Sequence, residues 1–80
     1  MKLTSILRPN VYQLTPSDIK ATVISEDCTL GQAFTMIEKW CNDNNANYPW
    51  LGDIWKDNGS ICVKVRTHDN NYINIFNIED

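Results

Sequence analysis

The side chains best suited to metal binding or catalysis in this sequence are those of three cysteines and one histidine. Cys28, Cys41, Cys62 and His68 belong to the residue types that zinc sites and thiol enzymes use. Structural zinc sites usually offer ligands in close pairs, such as two cysteines separated by two residues, and no such pair occurs here. An odd number of cysteines also fits no disulfide framework. We therefore predict no metal site and three free thiols, with Cys41 buried.

Acid–base catalysis has equally little support. His68 precedes Asp69, but neighbours in sequence seldom face each other, and no nucleophile accompanies them. The carboxylates are scattered, and none lies in an apolar run that would raise its pKa. The few glycines are too far apart to form a phosphate-binding loop. The sequence predicts a protein that is not an enzyme and uses no cofactor.

Length and composition limit the architecture and the compartment. Eighty residues are enough for a single domain, 1–80, with one core. No apolar run approaches the roughly 20 residues that a membrane span needs, and residues 1–9 are too short and polar for a signal peptide. We therefore expect a cytoplasmic protein with no membrane partner. The net charge of −3 argues against ordinary binding to a phosphate backbone.

One helix is predicted from about Leu30 to Asn42. Thr29 and Gln32 have the spacing of a capping box, in which each side chain bonds the other's backbone N–H. Apolar residues then recur at helical spacing and form one stripe suited to burial. The stripe consists of Leu30, Ala33, Phe34, Ile37, Trp40 and Cys41.

A β-hairpin is predicted around Asn58-Gly59, the pair preferred in two-residue type I′ turns. Strands of roughly Trp50–Asp57 and Ser60–Thr67 flank the turn, and a third strand, roughly Tyr72–Ile78, completes a meander. Three further strands are expected earlier in the chain, at Lys2–Leu7, Val11–Leu14 and Ile19–Ser25. The predicted fold class is α+β, an antiparallel sheet with one α-helix packed on one face and a C-terminal three-stranded meander.

The turn sets the strand register, and the register assigns each side chain to a face. Trp55 should lie opposite Cys62, Leu51 opposite Arg66, and Arg66 in turn opposite Ile73. A core face results, which carries Trp50, Ile54, Ile61, Val63, Val65, Tyr72, Phe76 and Ile78. The opposite face carries Leu51, Trp55, Cys62, Lys64, Arg66, Ile73 and Ile75.

This second face is too apolar for ordinary solvent exposure and too charged for a core. One interpretation is a binding surface, since Trp and Arg are enriched at binding hot spots. The other is that the N-terminal segment, with residues such as Leu3, Ile6 and Leu14, covers it as a second layer. The loop before the hairpin offers another contact, Tyr48, whereas Trp50 is expected to lie under the helix. The predicted partner-binding residues are Leu51, Trp55, Lys64, Arg66, Ile73, Ile75 and Tyr48.

These features favour a small non-catalytic inhibitor or modulator that binds a protein partner. Frequent asparagine is typical of AT-rich genomes, so a phage or mobile-element accessory protein that blocks a host enzyme or nuclease, for example in host defence evasion, is one version. An immunity protein against a cognate toxin would have nearly the same sequence. A third possibility is a single-stranded nucleic-acid-binding module that uses Trp55, Lys64 and Arg66, with Lys56 and Arg8 nearby. The oligomeric state is not predicted.

Overall fold

A computed structural model describes residues 1–80 as five strands, one α-helix and two short 3₁₀ turns. In chain order the elements are β1 (Lys2–Pro9), a 3₁₀ turn (Pro16–Asp18), β2 (Lys20–Ser25), α1 (Leu30–Asp43), a second 3₁₀ turn (Leu51–Asp53), β3 (Ile54–Asp57), β4 (Ser60–Arg66) and β5 (Tyr72–Glu79).

The strands form a single antiparallel sheet in the order β2-β1-β5-β4-β3. Helix α1 packs on one face of this sheet, so the predicted α+β fold is confirmed, as is the meander β3-β4-β5. The connection through α1 runs from one edge strand, β2, to the other edge strand, β3. Strands lie about 4.8 Å apart and a helix is about 10 Å wide, so one helix covers only the centre of one face.

Helix α1 begins where the capping box predicts. The Thr29 side chain accepts a hydrogen bond from the Gln32 N–H at 3.1 Å, and Gln32 Oε1 accepts from the Thr29 N–H at 2.9 Å. The helix ends because Asn45 takes a left-handed conformation, φ 51°, and the Ala46 N–H bonds back to the Cys41 carbonyl. This is the bond pattern of a Schellman motif, with asparagine in place of the more common glycine.

The hairpin between β3 and β4 has the predicted register. Asn58 and Gly59 both have positive φ, 50° and 85°, as a type I′ turn requires. Trp55 lies opposite Cys62 in the β3–β4 ladder. Arg66 lies opposite Ile73 in the β4–β5 ladder, so both pairings follow the prediction.

The hairpin turn gives a direct test of this geometry. Gly59→Ala should destabilise the protein by about 1 kcal/mol, because alanine is strained at φ 85° even though its methyl group would meet no neighbouring atom. Gly31→Ala is the matched control, since Gly31 lies in α1 with equally open surroundings, and alanine there should stabilise by up to about 1 kcal/mol. Urea denaturation of both variants measures the difference. Equal stabilities would contradict the type I′ assignment.

The N-terminal segment is expected to form two strands, Lys2–Leu7 and Val11–Leu14, or to cover the second face of the sheet, and the structure differs from both expectations. Residues 2–9 form one strand, β1, and Val11–Leu14 is not a strand. Strand β1 lies inside the sheet between β2 and β5, where Leu3 is fully buried on the side of α1. The predicted cover of the second face by Leu3 and Ile6 is therefore wrong, because both residues belong to a strand within the sheet. The physical reason is that β1 satisfies its backbone hydrogen bonds by pairing with β5 along its whole length.

The core lies between α1 and the sheet. Ala33, Ile37 and Cys41 supply the buried helix residues, whereas Phe34 is half-buried and Leu30 exposed. From the sheet the core receives Leu3, Val63, Val65, Phe76 and Ile78, with Ile54 and Ile61 half-buried beside them. Trp40 packs edge-on against Phe76, with ring centroids 5.6 Å apart. Tyr72, predicted for this core, is largely exposed at the end of β5.

A polar pair lies within this apolar core. Asn74 on β5 is fully buried, and its Nδ2 donates to Ser5 Oγ at 2.8 Å. Ser5 Oγ is also 3.0 Å from Asn74 Oδ1, so the two side chains satisfy each other. Buried polar groups are tolerated when they are hydrogen-bonded in this way. Ser5 and Asn74 can meet only when β1 and β5 are correctly aligned, so the pair favours one register of the two strands.

Candidate functional site

The sheet face opposite α1, here called the outer face, has no layer of structure over it. At one end its side chains are polar, namely Lys2, Glu79, Ser60 and Asp57. Beyond this end the side chains form three rows that run across the strands. The first row consists of Val23, Thr4, Asn77, Cys62 and Trp55. The second consists of Ala21, Ile6, Ile75 and Lys64, and the third of Arg8, Ile73 and Arg66. An antiparallel sheet in water normally shows polar residues on its uncovered face, whereas seven of the twelve residues in these rows are apolar.

Positive charge is concentrated at one end of the outer face. Arg8 and Arg66 flank Ile73 from the two neighbouring strands, and Lys64 lies in the next row. None of the three cationic groups lies within 4.0 Å of a carboxylate. Ile73, which lies between the two arginines in the strand register, is only 3% exposed. The cations are therefore free to meet an external anion.

A loop replaces the sheet at the end of β4. Strand β3 pairs with β4 only through residues 60–63, and beyond them residues 47–53 run beside β4. The Asn47 N–H donates to the Arg66 carbonyl at 3.0 Å and ties the loop to the strand. Between loop and strand lies a cavity of about 220 Å³, here called the edge pocket. Its lining residues are Asn47, Tyr48, Pro49, Trp50, Asp53, Lys64, Val65 and Arg66.

This loop corrects the predicted strand Trp50–Asp57, which begins only at Ile54. Asp53 Oδ2 accepts from the Trp50 N–H at 3.1 Å, and the Asp53 N–H donates to the Trp50 carbonyl at 2.9 Å. These local bonds compete with strand pairing and hold a 3₁₀ turn. Leu51 is consequently not paired with Arg66, and it is 91% exposed. Trp50 is 79% exposed, so its predicted place under the helix is also wrong.

The predicted partner-binding residues fall into two groups. Trp55, Lys64, Arg66, Ile73 and Ile75 share the outer face. Tyr48 lines the edge pocket beside Lys64 and Arg66, whereas Leu51 projects from the 3₁₀ turn and lines neither the pocket nor the sheet.

Sequence reasoning missed part of this surface. Ile6 reaches the outer face through β1, and Arg8, noted only as a nearby cation, lies within it. Alternation along Lys2–Pro9 could have assigned both to one face, but not which sheet neighbour they would have. Lys56, the other cation noted near Trp55, pairs with Ile61 and so belongs to the face that α1 packs on. Trp50 and Asp53 join the edge pocket only because the loop turns at residues 51–53.

The three cysteines lie in surroundings typical of structural residues. All three cysteines are free and buried, and Cys41 lies in the core as predicted. Burial, with smaller contributions from Glu38 and Asp57 respectively, raises the pKa of the Cys41 and Cys62 thiols and disfavours the nucleophilic thiolate. No group of three His, Cys, Asp or Glu side chains is placed to hold a metal ion.

His68 and Asp69 belong to the turn between β4 and β5. Asp69 Oδ1 accepts from Thr67 Oγ1 at 2.7 Å and from the Asn71 N–H at 2.9 Å, and these bonds lower the pKa of the carboxyl. The carboxylate is thus engaged in shaping the turn, and the exposed His68 has its backbone N–H bonded to the Asn45 carbonyl. The geometry brings no base, nucleophile and orienting group together.

Comparisons with protein-family models, with curated proteins and with solved structures find no match to this chain. None of its helices combines the length and the apolar character that crossing a membrane would require.

Proposed function

We propose that this chain is a non-catalytic binding protein that attaches to a partner protein through its outer face and thereby blocks or modulates that partner. The observation that carries the proposal is the uncovered outer face, where Trp55, Ile6 and Ile75 lie beside the unpaired cations Arg8, Lys64 and Arg66. Apolar patches rimmed by charge are typical of protein interaction sites, and Trp and Arg are the residues most often found at hot spots.

The arrangement of the rows favours a protein partner over a nucleic acid. Arg8, Lys64 and Arg66 lie towards one end of the face and Lys2 lies at the other, opposite Glu79. The middle of the face is formed by Ile6, Ile75 and Cys62. A nucleic-acid track instead needs basic residues spread along the path of the backbone. The net charge of the chain, −3, also opposes long-range attraction of a polyanion.

A binding protein of this kind acts by occupying a surface of its partner. The asparagine-rich composition supports a phage or mobile-element accessory protein directed at a host enzyme or nuclease, and an immunity protein against a toxin would use the same type of face. Both versions imply an intracellular complex in the cytoplasm without a cofactor.

Binding of single-stranded nucleic acid is the second candidate function. One specific observation favours it, namely that Tyr48 and Trp50 line the edge pocket together with the cations Lys64 and Arg66, and that Trp55 shares the outer face with these cations. Aromatic stacking next to basic residues is how many sheets bind single strands.

Salt dependence separates the two functions. The immobilised chain is first used to capture its partner from a lysate, with and without nuclease treatment. The Kd of the captured partner is then measured at 50 and 200 mM salt. A protein partner should survive nuclease, and its affinity should change less than about tenfold. If phosphate groups of a single strand met all four cations of the face (Lys2, Arg8, Lys64 and Arg66), affinity should fall roughly fiftyfold over this range. Nuclease-sensitive capture with the steep salt response would contradict the protein-binding proposal.

A further inference from the structure

We propose that the edge pocket binds a carboxylate side chain from an acidic, extended segment of the partner protein. This inference rests on the proposed function and extends it, because it specifies the chemistry of the partner and a second contact region at the edge of the outer face. The feature behind it is the juxtaposition of Lys64 and Arg66 with the aromatic side chains of Tyr48 and Trp50 around one cavity.

The cations of the pocket have no ion-pair partner, whereas its one carboxylate is already hydrogen-bonded. Lys64 and Arg66 form no ion pair, so both can donate to an incoming carboxylate. Asp53 is the only carboxylate among the lining residues, and its Oδ2 already accepts from the Trp50 N–H at 3.1 Å. The pocket therefore has a net positive charge, and its one acidic group is committed to holding the wall in place.

The size of the cavity points to a side chain as the occupant. Its volume of about 220 Å³ is below the range of roughly 300–1,000 Å³ that small-molecule and cofactor sites usually have. Tyr48, Pro49 and Trp50 supply apolar surface to the lining, against which the methylene groups of a glutamate can lie. Lys64 and Arg66 belong to the same lining and supply the cations that a carboxylate requires.

The pocket lies at the side of β4, where β3 no longer pairs with it. Lys64 and Arg66 belong both to the outer face and to the lining of the pocket, so a partner segment bound to the outer face would adjoin the pocket. Phosphate groups are the competing ligands for these cations, but a site with two cations and a carboxylate wall is poorly suited to a chain of phosphates. Charge complementarity therefore favours an acidic protein segment.

The direct test uses a short, capped, fluorescein-labelled peptide of alternating glutamate and leucine, followed by fluorescence anisotropy. The glutamine–leucine analogue serves as the uncharged control, and oligothymidylate represents the phosphate ligand. Arg66→Glu and Lys64→Glu should each weaken binding of the acidic peptide by about tenfold or more. Lys56→Glu is the matched control, because Lys56 lies on the opposite face of a neighbouring strand and outside the pocket. It changes the charge equally and should weaken binding less than about threefold.

Several outcomes would overturn the inference. Equal binding of the glutamine analogue would remove the role of the carboxylate, and equal losses for Lys56→Glu and Arg66→Glu would show general electrostatics without a pocket. If oligothymidylate binds more tightly than the acidic peptide, the cations bind phosphate. If the chain self-associates in sedimentation and Arg66→Glu blocks this association, the cations bind a second copy of the chain.

Measurements with the captured partner distinguish failure of this inference from failure of the proposed function. If the partner is lost with Trp55→Ala but unaffected by Lys64→Glu and Arg66→Glu, the outer face is the interface and the pocket inference is wrong. If the acidic peptide requires Lys64 and Arg66 while no protein partner depends on the outer face, the proposed function is wrong and the pocket remains.

Discussion

Ile37→Ala is expected to destabilise the fold by about 2–5 kcal/mol, the range found for large-to-small changes in cores. Ile37 is fully buried in the middle of α1 and belongs to the cluster that includes Leu3, Val63 and Phe76. Because a domain of this size has only a small total stability, the variant should be largely unfolded at physiological temperature. Urea and thermal denaturation followed by circular dichroism measure the loss.

Phe34→Ala is the control within the same helix. The sequence stripe places Phe34 and Ile37 on one apolar face, but Phe34 is only partly buried at the edge of the core. Its truncation should therefore cost less than that of Ile37, although phenylalanine is the larger side chain. A Phe34→Ala variant that melts below Ile37→Ala would show that the helix is rotated relative to the core described here.

Trp55→Ala is expected to leave the fold intact and to weaken partner binding by at least about thirtyfold, or roughly 2 kcal/mol. Trp55 lies on an edge strand, is 40% exposed and faces away from the core. Surface substitutions of this type usually change stability by about 0.5 kcal/mol or less. The melting temperature and the partner Kd of the one variant test both parts.

Tyr72→Ala supplies a matched aromatic control. Tyr72 is 47% exposed, close to the value for Trp55, but it lies on the face of the sheet that α1 packs on. Its truncation should leave partner affinity within about twofold of the wild type. Equal losses for the two variants would indicate non-specific hydrophobic association, and full affinity in Trp55→Ala would move the interface to residues 42–49.

The parts of the fold that could be predicted from the sequence are those with a local determinant. The capping box at Thr29 fixes the start of α1, and the Asn58-Gly59 turn fixes the alignment of β3 with β4. The turn after Thr67 then aligns β4 with β5, and Asn70 takes positive φ there. Each of these signals lies within a few residues of the feature that it determines.

Strand β1 had no such determinant. Its partners are β2 and β5, and the pairing with β5 joins residues from opposite ends of the chain, a contact that no local spacing reveals. Consequently the candidate site was predicted in its β3–β5 part, whereas Ile6 and the position of Arg8 were not. The predicted strand was wrong at residues 50–53 for another reason. The Asp53 carboxylate accepts a hydrogen bond from the Trp50 N–H and stabilises a turn there, and this turn competes with strand pairing.

The adjacency of β1 and β5 has a consequence for how the chain folds. Two units can form from neighbouring residues, the pair β1–β2 and the meander β3–β4–β5, and they join along the β1–β5 ladder. The closing contacts, such as Ser5 with Asn74, span 69 positions, so a large loop entropy must be overcome before they form. Until the units meet, each presents an unpaired strand edge and one half of the apolar core to its surroundings. The slow step of folding should therefore be this docking, and the interval before it is when the chain is most exposed to aggregation.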